Sequence, residues 1–195
     1  EDDRFYQHGG IDYTGVLRAI GANLIGGGKR QGASTITQQV ARNFFLTGEK
    51  TYTRKLYEAL LSFKIESNLT KDQIFELYIN QIFLGQRAYG FAAAAQIYFG
   101  KPLKDISIAE AAMLAGLPKA PSAYNPIVNP NRARLRQHYV LRRMHELGYI
   151  SAAQHEAALK EPLVVKRELA GYAVHAEFVA EMARLLEAGQ QTRGR

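Results

Sequence analysis

The sequence predicts a mainly α-helical globular domain. Three segments open with a capping box, in which Ser or Thr is followed three residues later by Gln or Glu, at residues 35–38, 70–73 and 107–110. Apolar residues recur at helical spacing, and strand-like alternation is almost missing. A chain of 195 residues with 47% hydrophobic content is long enough for one compact core. Together these observations favour the all-α class.

The individual helices follow from their start and stop signals. Asp12 caps a first helix that runs to residue 25, and the glycines at residues 26–28 end it. Further helices are predicted at residues 35–45, 51–68, 70–83, 88–98, 107–116, 131–147, 151–160 and 175–187. An irregular loop before residue 131 is predicted from Pro118, Pro121, Pro126 and Pro130. Residues 162–168 are expected to form a short strand or an extended arm.

The charge distribution favours an anionic partner. The net charge is +7, and residues 14–48 contain no Asp or Glu. Nucleic acid, anionic lipid headgroups and a phosphorylated substrate all fit such an excess. A second basic group lies in the helix predicted at residues 131–147, where we interpret the arginines as a solvated face: Arg132, Arg134, Arg136, Arg142 and Arg143.

Two classes of structure are excluded by composition. The chain has no cysteine, so disulfides and thiolate metal sites are ruled out. No run approaches the roughly 20 apolar residues that a membrane-spanning helix needs. The chain begins abruptly inside a polar motif, which is typical of a fragment of a longer protein.

The first ten residues combine acids, an arginine, aromatics, a histidine and a Gly-Gly turn. No core-building pattern calls for this mixture, and polar clusters beside glycine turns are common at functional sites. The alternative is a solvated acidic terminus.

Two carboxylates, Glu1 and Glu58, stand in sequence among many cations and hydroxyls. Carboxylate pairs serve acid–base chemistry at sugars, whereas a phosphate leaving group needs cations to stabilise its charge. The residue types therefore favour transfer from a phosphorylated donor, with one glutamate as the base. The nearby cations are Arg42, Lys50, Arg54 and Lys55, and the hydroxyls and amides are Ser34, Thr35, Thr37, Gln38 and Gln39. Spacing alone does not show that Glu1 and Glu58 meet in space.

Five motifs resemble, in order, those of the peptidoglycan glycosyltransferases (glycosyltransferase family 51), the polymerase domain of class A penicillin-binding proteins. They are Glu1-Asp2-x-x-Phe5-x-x-His8-x-Gly10, residues 32–39, Arg54-Lys55-x-x-Glu58, Lys71-x-x-Ile74-x-Glu76-x-Tyr78-x-Asn80, and residues 112–126. The resemblance covers residues 1–160. Ala33 stands where many members have glycine and Phe75 where many have leucine, and neither changes the chemistry.

The resemblance implies a lysozyme-like, mainly α head with a smaller membrane-associated jaw. It implies a glycosyltransferase domain at residues 1–165, followed by a C-terminal helix and linker at residues 166–195 towards a transpeptidase domain outside this chain. The implied activity is polymerisation of lipid II into glycan strands, with inversion at the sugar, at the outer face of the bacterial cytoplasmic membrane.

The resemblance also implies roles for individual residues. Glu1 would be the general base for the acceptor 4-hydroxyl, and Glu58 would act on the donor side. The pyrophosphates would be held by Arg42, Lys50, Arg54 and Lys55. Phosphate and sugar groups would be positioned by Ser34, Thr35, Thr37, Gln38 and Gln39. Further substrate-binding residues would be Asp2, Phe5, His8, Tyr78 and Asn80. Mg²⁺ or Mn²⁺ assists some members, so a metal near Glu58 is an open expectation; no organic cofactor is expected.

The expected partners are lipid II, the growing lipid-linked glycan strand, the cytoplasmic-membrane surface and other cell-wall synthesis proteins, without nucleic acid. The basic loop at residues 26–31 could present a lipid-binding face together with Leu24, Ile25, Phe44, Phe45 and Leu46; alternatively, these apolar residues fill the core. Two other functions remain open: a lysozyme-like glycan-cleaving enzyme and a basic nucleic-acid-binding module.

Overall fold

The computed structural model describes residues 1–25, 32, 34–45 and 51–166. These residues form eight α-helices: α1 (Tyr13–Ile25), α2 (Ile36–Phe45), α3 (Tyr52–Asn68), α4 (Lys71–Gln81), α5 (Phe91–Phe99), α6 (Ile108–Gly116), α7 (Pro130–Glu146) and α8 (Ala152–Lys160). Within the same residues the only β pairing is one isolated bridge between Phe83 and Tyr89. The mainly α class is confirmed, whereas the division into a lysozyme-like head and a jaw stays a prediction.

The predicted capping boxes are confirmed because both of their hydrogen bonds form. The Gln38 N–H donates to the Thr35 hydroxyl (3.1 Å), and the Thr35 N–H donates to the Gln38 side chain (3.2 Å). The same reciprocal pair starts α4 at Thr70 and α6 at Ser107. A cap of this kind uses N–H groups that the helix itself leaves unpaired. These starts are therefore set by four adjacent residues.

The predicted start of α5 at residue 88 is wrong, because residues 83–89 form a tight reversal. Gln86 and Arg87 both adopt positive φ angles, of 46° and 60°. The Leu84 N–H then donates to the Ala88 carbonyl at 2.9 Å. Gly90 closes the turn with φ +82°, and a Cβ there would lie 2.5 Å from the Asn80 carbonyl oxygen. Only glycine fits so close to the end of α4.

Residues 162–166 form neither helix nor strand, so the short-strand alternative is wrong for these residues and the extended arm stays a prediction. The Lys166 N–H donates to the Tyr98 carbonyl at 2.8 Å, so the arm runs beside the end of α5. The helix predicted at residues 175–187 lies outside the described residues. The proposed boundary at residue 165 therefore stays a prediction.

The core forms where α2 packs against α3 and α4, and it extends to α5 and α6. Ala94 and Ala95 are fully buried, so their small side chains let α5 pack closely. Tyr98 is also fully buried, and its hydroxyl donates to the Leu84 carbonyl at 2.8 Å. A second cluster joins α6, α7 and α8 through Ala109, Ala112, Leu141, Ile150 and Ala158. The first ten residues lie against this frame and contact α2, α3, α4 and α7.

Asp12 holds the start of α1. Its carboxylate accepts from the Gly15 N–H (3.0 Å), the Thr14 hydroxyl (2.9 Å) and Arg4 (2.7 Å). Partial burial works against ionisation, but the hydrogen bonds from Gly15, Thr14 and Arg4 outweigh it and lower the pKa of Asp12 to about 2.

We expect Asp12→Asn to lower the melting temperature at neutral pH, by an amount that shrinks in acid. A carboxyl group with a depressed pKa stabilises the fold fully above its unfolded value of 3.8, and this stabilisation is lost as the pH falls through about 2. Thermal unfolding of both proteins between about pH 7 and pH 2 measures the difference. A difference that stays constant over this range would contradict the prediction.

Candidate active site

Asp2 connects residues 1–10, called the first segment below, to the start of α2. Its carboxylate accepts from the Ile36 N–H at 3.1 Å and contacts the His8 Nε2 at 3.0 Å. A carboxylate at a helix N-terminus also interacts favourably with the helix dipole. Phe5 is buried beneath the segment, with the Lys71 ammonium 4.3 Å from its ring centroid. In this structure Asp2, Phe5 and His8 therefore hold the segment in place, and their substrate contacts stay predictions.

Glu1 lies at the edge of this anchored segment with its carboxylate accessible. One oxygen is 3.5 Å from Nη2 of Arg136 on α7, and the other is 3.4 Å from the Gln39 amide on α2. Both distances are at the long end for hydrogen bonds. The carboxylate is oriented from two sides and still has capacity to accept a proton from a ligand.

Glu66, which the sequence analysis did not identify, ties three pieces of the site together. One of its oxygens accepts from the Gly10 N–H (3.0 Å), the Thr37 hydroxyl (2.5 Å) and the Lys71 ammonium (2.7 Å). The Thr35 hydroxyl donates to the Gly10 carbonyl at 2.6 Å. Both polar backbone groups of Gly10 are therefore held by side chains of α3 and of the residues that open α2.

Glu58 is buried and closely paired, whereas Glu1 is partly exposed and has long contacts. Its side chain is 1% exposed, and it pairs with Arg54 through one oxygen and with Lys55 through the other, at 2.7 Å for Lys55. The Lys55 ammonium also donates to the Ser34 hydroxyl at 2.8 Å. Arg54 and Lys55 together carry one positive charge more than Glu58 neutralises. The Lys55 ammonium of this charge cluster contacts Ser34.

Tyr78 on α4 is 4% exposed. Burial raises the pKa of its phenol, the charges of Glu1 and Asp2 raise it further, and Arg42 opposes them. Its hydroxyl finds no partner among the described residues. The buried phenol of Tyr78 therefore stays neutral at ordinary pH.

The predicted site residues form one group around Glu1 and a second group around Glu58. Residues 34–39 contact both groups. Gln39 reaches Glu1, and Ser34 reaches Lys55 and Glu58. Thr35, Thr37 and Gln38 are buried and use their side chains in internal hydrogen bonds. The spacing of the sequence does not show this division, because it depends on which side of α2 each residue faces.

The remaining predicted residues lie at the margins. Arg42 lines a cavity of about 350 Å³ together with Gln81, Phe83, Tyr89 and Pro118. Asn80 is exposed near the end of α4. Lys50 lies outside the described residues. The contacts of Arg42, Asn80 and Lys50 with substrate stay predictions.

The interpretation of the α7 arginines as a solvated face is wrong for Arg136, and Arg143, although 37% exposed, also contacts the first ten residues. Arg136 is only 11% exposed and contacts Glu1, and Arg143 pairs with Asp3 at 3.0 Å. The two arginines are seven residues apart, or about two helical turns, so they share a face. That face packs against residues 1–10, where Glu1 and Asp3 are the acidic partners of the two arginines. The sequence of α7 alone does not indicate these partners.

The donor set around Glu58 does not favour a divalent cation at that carboxylate. Both of its oxygens already face cationic side chains. Among the described residues no group of three His, Asp or Glu side chains is arranged to hold a metal ion. Mg²⁺ is bound through carboxylate and other oxygen atoms, and both Glu58 oxygens are already paired with cations.

Comparison with known proteins identifies the family of this chain. The sequence profile of the transglycosylase family matches residues 1–145. Penicillin-binding protein 1A of Neisseria lactamica is 61% identical over 184 residues, which cover 94% of this chain and 23% of that protein. A Cupriavidus necator protein named provisionally as a transglycosylase is 66% identical over 163 residues, covering 84% of this chain and 70% of that protein.

Among solved structures, penicillin-binding protein 1A from Haemophilus influenzae is 37% identical, with a TM-score of 0.48, over 77% of this chain and 19% of that chain. The present chain thus spans about a quarter of the length of the penicillin-binding proteins that it matches. The match to the family profile extends over most of the described residues and includes both carboxylate groups of the site. The chain belongs to the transglycosylase family, the peptidoglycan glycosyltransferases found in class A penicillin-binding proteins.

Proposed function

We propose that this chain polymerises lipid II into peptidoglycan glycan strands. The observation that carries the proposal is the contrast between its two carboxylates. Glu1 is accessible and loosely held, which suits a general base, whereas Glu58 is buried between two cations. An enzyme that releases a pyrophosphate needs a base to activate the acceptor and cations to stabilise the leaving group, and Glu1 and the cations beside Glu58 meet these two needs.

In the proposed reaction Glu1 takes the proton of the acceptor 4-hydroxyl. The resulting oxygen attacks the anomeric carbon of the donor, and the bond from that carbon to the pyrophosphate oxygen breaks with inversion. Undecaprenyl pyrophosphate leaves with the bonding electron pair. Arg54 and Lys55 stabilise its charge, and Glu58 keeps these cations aligned. Each charge-assisted hydrogen bond to phosphate is worth about 1.5–3 kcal/mol.

The glycan-cleaving alternative fits this site less well. Glycosidases use one carboxylic acid to protonate the leaving oxygen. Glu58 accepts charged hydrogen bonds on both oxygens, so it is poorly suited to deliver a proton. The basic residues that suggested nucleic acid are partly used in the site, since Arg136 and Arg143 pair with Glu1 and Asp3.

The test is incubation of the chain with labelled lipid II in detergent, followed by electrophoresis of the products. We expect a ladder of glycan strands that muramidase digests, together with release of undecaprenyl pyrophosphate. In parallel, the chain is incubated with purified peptidoglycan, from which we expect no soluble fragments. Fragment release without strand formation would replace the proposal with the cleaving enzyme. Salt-dependent binding of duplex DNA, without turnover of lipid II, would favour the nucleic-acid module.

We also propose that α1 and α3 place the chain at the outer surface of the cytoplasmic membrane. Each helix exposes an apolar stripe at helical spacing: Tyr13, Leu17, Ile20 and Leu24 on α1, and Tyr52, Leu56, Leu60 and Phe63 on α3. Among the described residues no helix is long and apolar enough to cross a membrane. Amphipathic helices with exposed apolar stripes bind at the membrane surface.

Flotation with anionic phospholipid vesicles tests this contact. We expect the parent chain to float with the vesicles and the double variant Leu17→Ser/Leu24→Ser to float several-fold less, because buried apolar area drives the interaction. Leu135→Ser is the control, since Leu135 is 72% exposed on α7, away from both stripes. Equal flotation of all three proteins would contradict the proposal. The predicted partners among other cell-wall synthesis proteins rest on the family resemblance alone.

A further inference from the structure

Three polar side chains follow one another along one face of α3. Glu58, Ser62 and Glu66 are spaced four residues apart, so they lie on consecutive turns of the same face. Glu58 and Ser62 are buried, and the Glu66 side chain is only 14% exposed. Acidic side chains are rarely buried on a helix face unless they have partners there. The partners of Glu66 therefore indicate the role of this end of α3.

Glu66 has partners in three different parts of the chain. One of its oxygens accepts from the Gly10 N–H at 3.0 Å, from the Thr37 hydroxyl at 2.5 Å and from the Lys71 ammonium at 2.7 Å. The same ammonium lies 4.3 Å from the centroid of the Phe5 ring. This ion pair thus holds the first segment at two points, through the Gly10 backbone and through the Phe5 ring.

Gly10 lies directly against α3. Its φ angle is +75°, and an added Cβ would lie 3.0 Å from the Ser62 Oγ and 3.3 Å from the Ser62 backbone carbonyl carbon. Close packing prevents Gly10 from moving towards the helix, and its hydrogen bond to Glu66 prevents it from moving away. The segment that carries Glu1 therefore ends at a fixed point on α3.

The helix α3 separates this fixed point from the cations of the donor side by a constant distance. Glu58 and Glu66 are eight residues apart, which corresponds to about 12 Å along an α-helix. Glu58 pairs with Arg54 and Lys55 at one end, and Glu66 holds Gly10 at the other. A displacement of about 1 Å in a reacting group can lower a rate about 100-fold. The contacts of Glu66 can therefore affect catalysis from a distance.

We propose that Glu66 is a positioning residue that sets where Glu1 lies relative to Arg54 and Lys55. This inference rests on the proposed polymerase function and adds to it a residue outside the five motifs. Glu66 acts through Gly10, which it attaches to α3, whereas the contacts of Glu1 itself are long. Loss of this attachment slows the chemical step more than it weakens the binding of substrate.

The experiment compares Glu66→Met with Glu66→Gln in the lipid II polymerisation assay, at a temperature where every variant is folded. Methionine removes all three accepted hydrogen bonds, whereas glutamine keeps a carbonyl oxygen of the same reach and loses only the charge. For Glu66→Met we expect kcat to fall at least about tenfold with KM changed by less than about threefold. Glu66→Gln should restore kcat to within about threefold of the parent.

Asp72→Asn is the matched control. It removes a carboxylate six residues further along the chain, which also contacts the first segment, through the Tyr6 hydroxyl at 3.0 Å. Asp72 and Tyr6 are both exposed, so water replaces this contact and kcat should stay within about threefold of the parent. An unchanged kcat in Glu66→Met, with or without a higher KM, would overturn the inference, and so would an equal loss of kcat in Asp72→Asn.

Glu66→Asp provides a second variant if Glu66→Met does not fold. Aspartate keeps the charge beside Lys71, but its side chain is one methylene shorter, so it draws the accepting oxygen away from Gly10. It should lower kcat in the same direction with little change in KM. A kcat equal to that of the parent would show that the attachment of Gly10 to Glu66 does not matter for the reaction.

Hydrogen–deuterium exchange gives a readout that does not depend on turnover. In Glu66→Met, amides of residues 5–12 should exchange several-fold faster than in the parent, while those of α5 and α6 should be unchanged. Faster exchange throughout the chain would indicate a general loss of stability and overturn the inference, as would no change at residues 5–12. A parent that makes no strands, with the local change present, overturns the polymerase function and leaves the attachment of the first segment by Glu66 established.

Discussion

Replacing Glu1 with glutamine is expected to lower glycan-strand formation from lipid II by about 100-fold or more. Glutamine keeps the size and hydrogen-bonding capacity of the side chain but cannot take a proton. The fold should be unaffected, because Glu1 is accessible and its two contacts are long. Initial rates with labelled lipid II and the melting temperature, measured on the same samples, report the two effects separately.

Asp3→Asn is the matched control for this variant. It removes a carboxylate from the same segment, two residues away, where the partner is the half-exposed Arg143. Exposed ion pairs contribute little, so we expect a change in rate of less than about threefold. Strand formation by Glu1→Gln at the parent rate would remove Glu1 from the role of base while leaving the polymerase activity in place.

Lys55→Ala is expected to lower turnover about 100-fold while lowering the melting temperature by only a few degrees. The Lys55 side chain is 48% exposed, and its ammonium lies between Ser34 and Glu58. Arg54 remains to offset the buried charge of Glu58, so the loss of stability should be about 1 kcal/mol. Losing one or two charged hydrogen bonds to the leaving pyrophosphate costs about 3 kcal/mol, which corresponds to the expected rate.

Lys64→Ala provides the comparison on the same helix, since Lys64 is exposed and nine residues further along α3. It removes the same charge from the chain without touching the Glu58 group. Its rate should stay within about threefold of the parent. If Lys55→Ala lost activity only in proportion to the fraction that unfolds, Lys55 would be a structural residue and the donor-side assignment would be wrong.

The features that were predictable from the sequence are those determined by neighbouring residues. Thr35 with Gln38 and Thr70 with Gln73 start helices through hydrogen bonds between residues three positions apart, so their sequence signature is sufficient. The start of α5 was missed because positive φ angles at Gln86 and Arg87 are not the preference of those side chains. They arise from the reversal between Phe83 and Tyr89 and from the close packing of Gly90 on Asn80.

Site residues were likewise predictable where a local motif identifies them and not where a distant contact determines their role. The five motifs identify the residue types of the site, including Glu1, Glu58, Arg54 and Lys55. Glu66 and Arg136 were missed because they contact Gly10 and Glu1, which lie 56 and 135 residues away in the sequence. Charge periodicity along α7 indicates which arginines share a face, but it does not indicate what that face packs against. A patterned charged face is therefore ambiguous until the opposing element is known.

The attachment of both carboxylate groups to residues 34–39 makes this short segment a mechanical link. Gln39 touches the base and Ser34 touches a cation of the leaving-group side, and Thr35 and Thr37 are fixed between them. The buried, hydrogen-bonded middle of this segment fixes the distance between its two ends. Thermodynamic coupling is reciprocal, so any factor by which a ligand at Lys55 changes affinity at Glu1 must equal the factor by which a ligand at Glu1 changes affinity at Lys55.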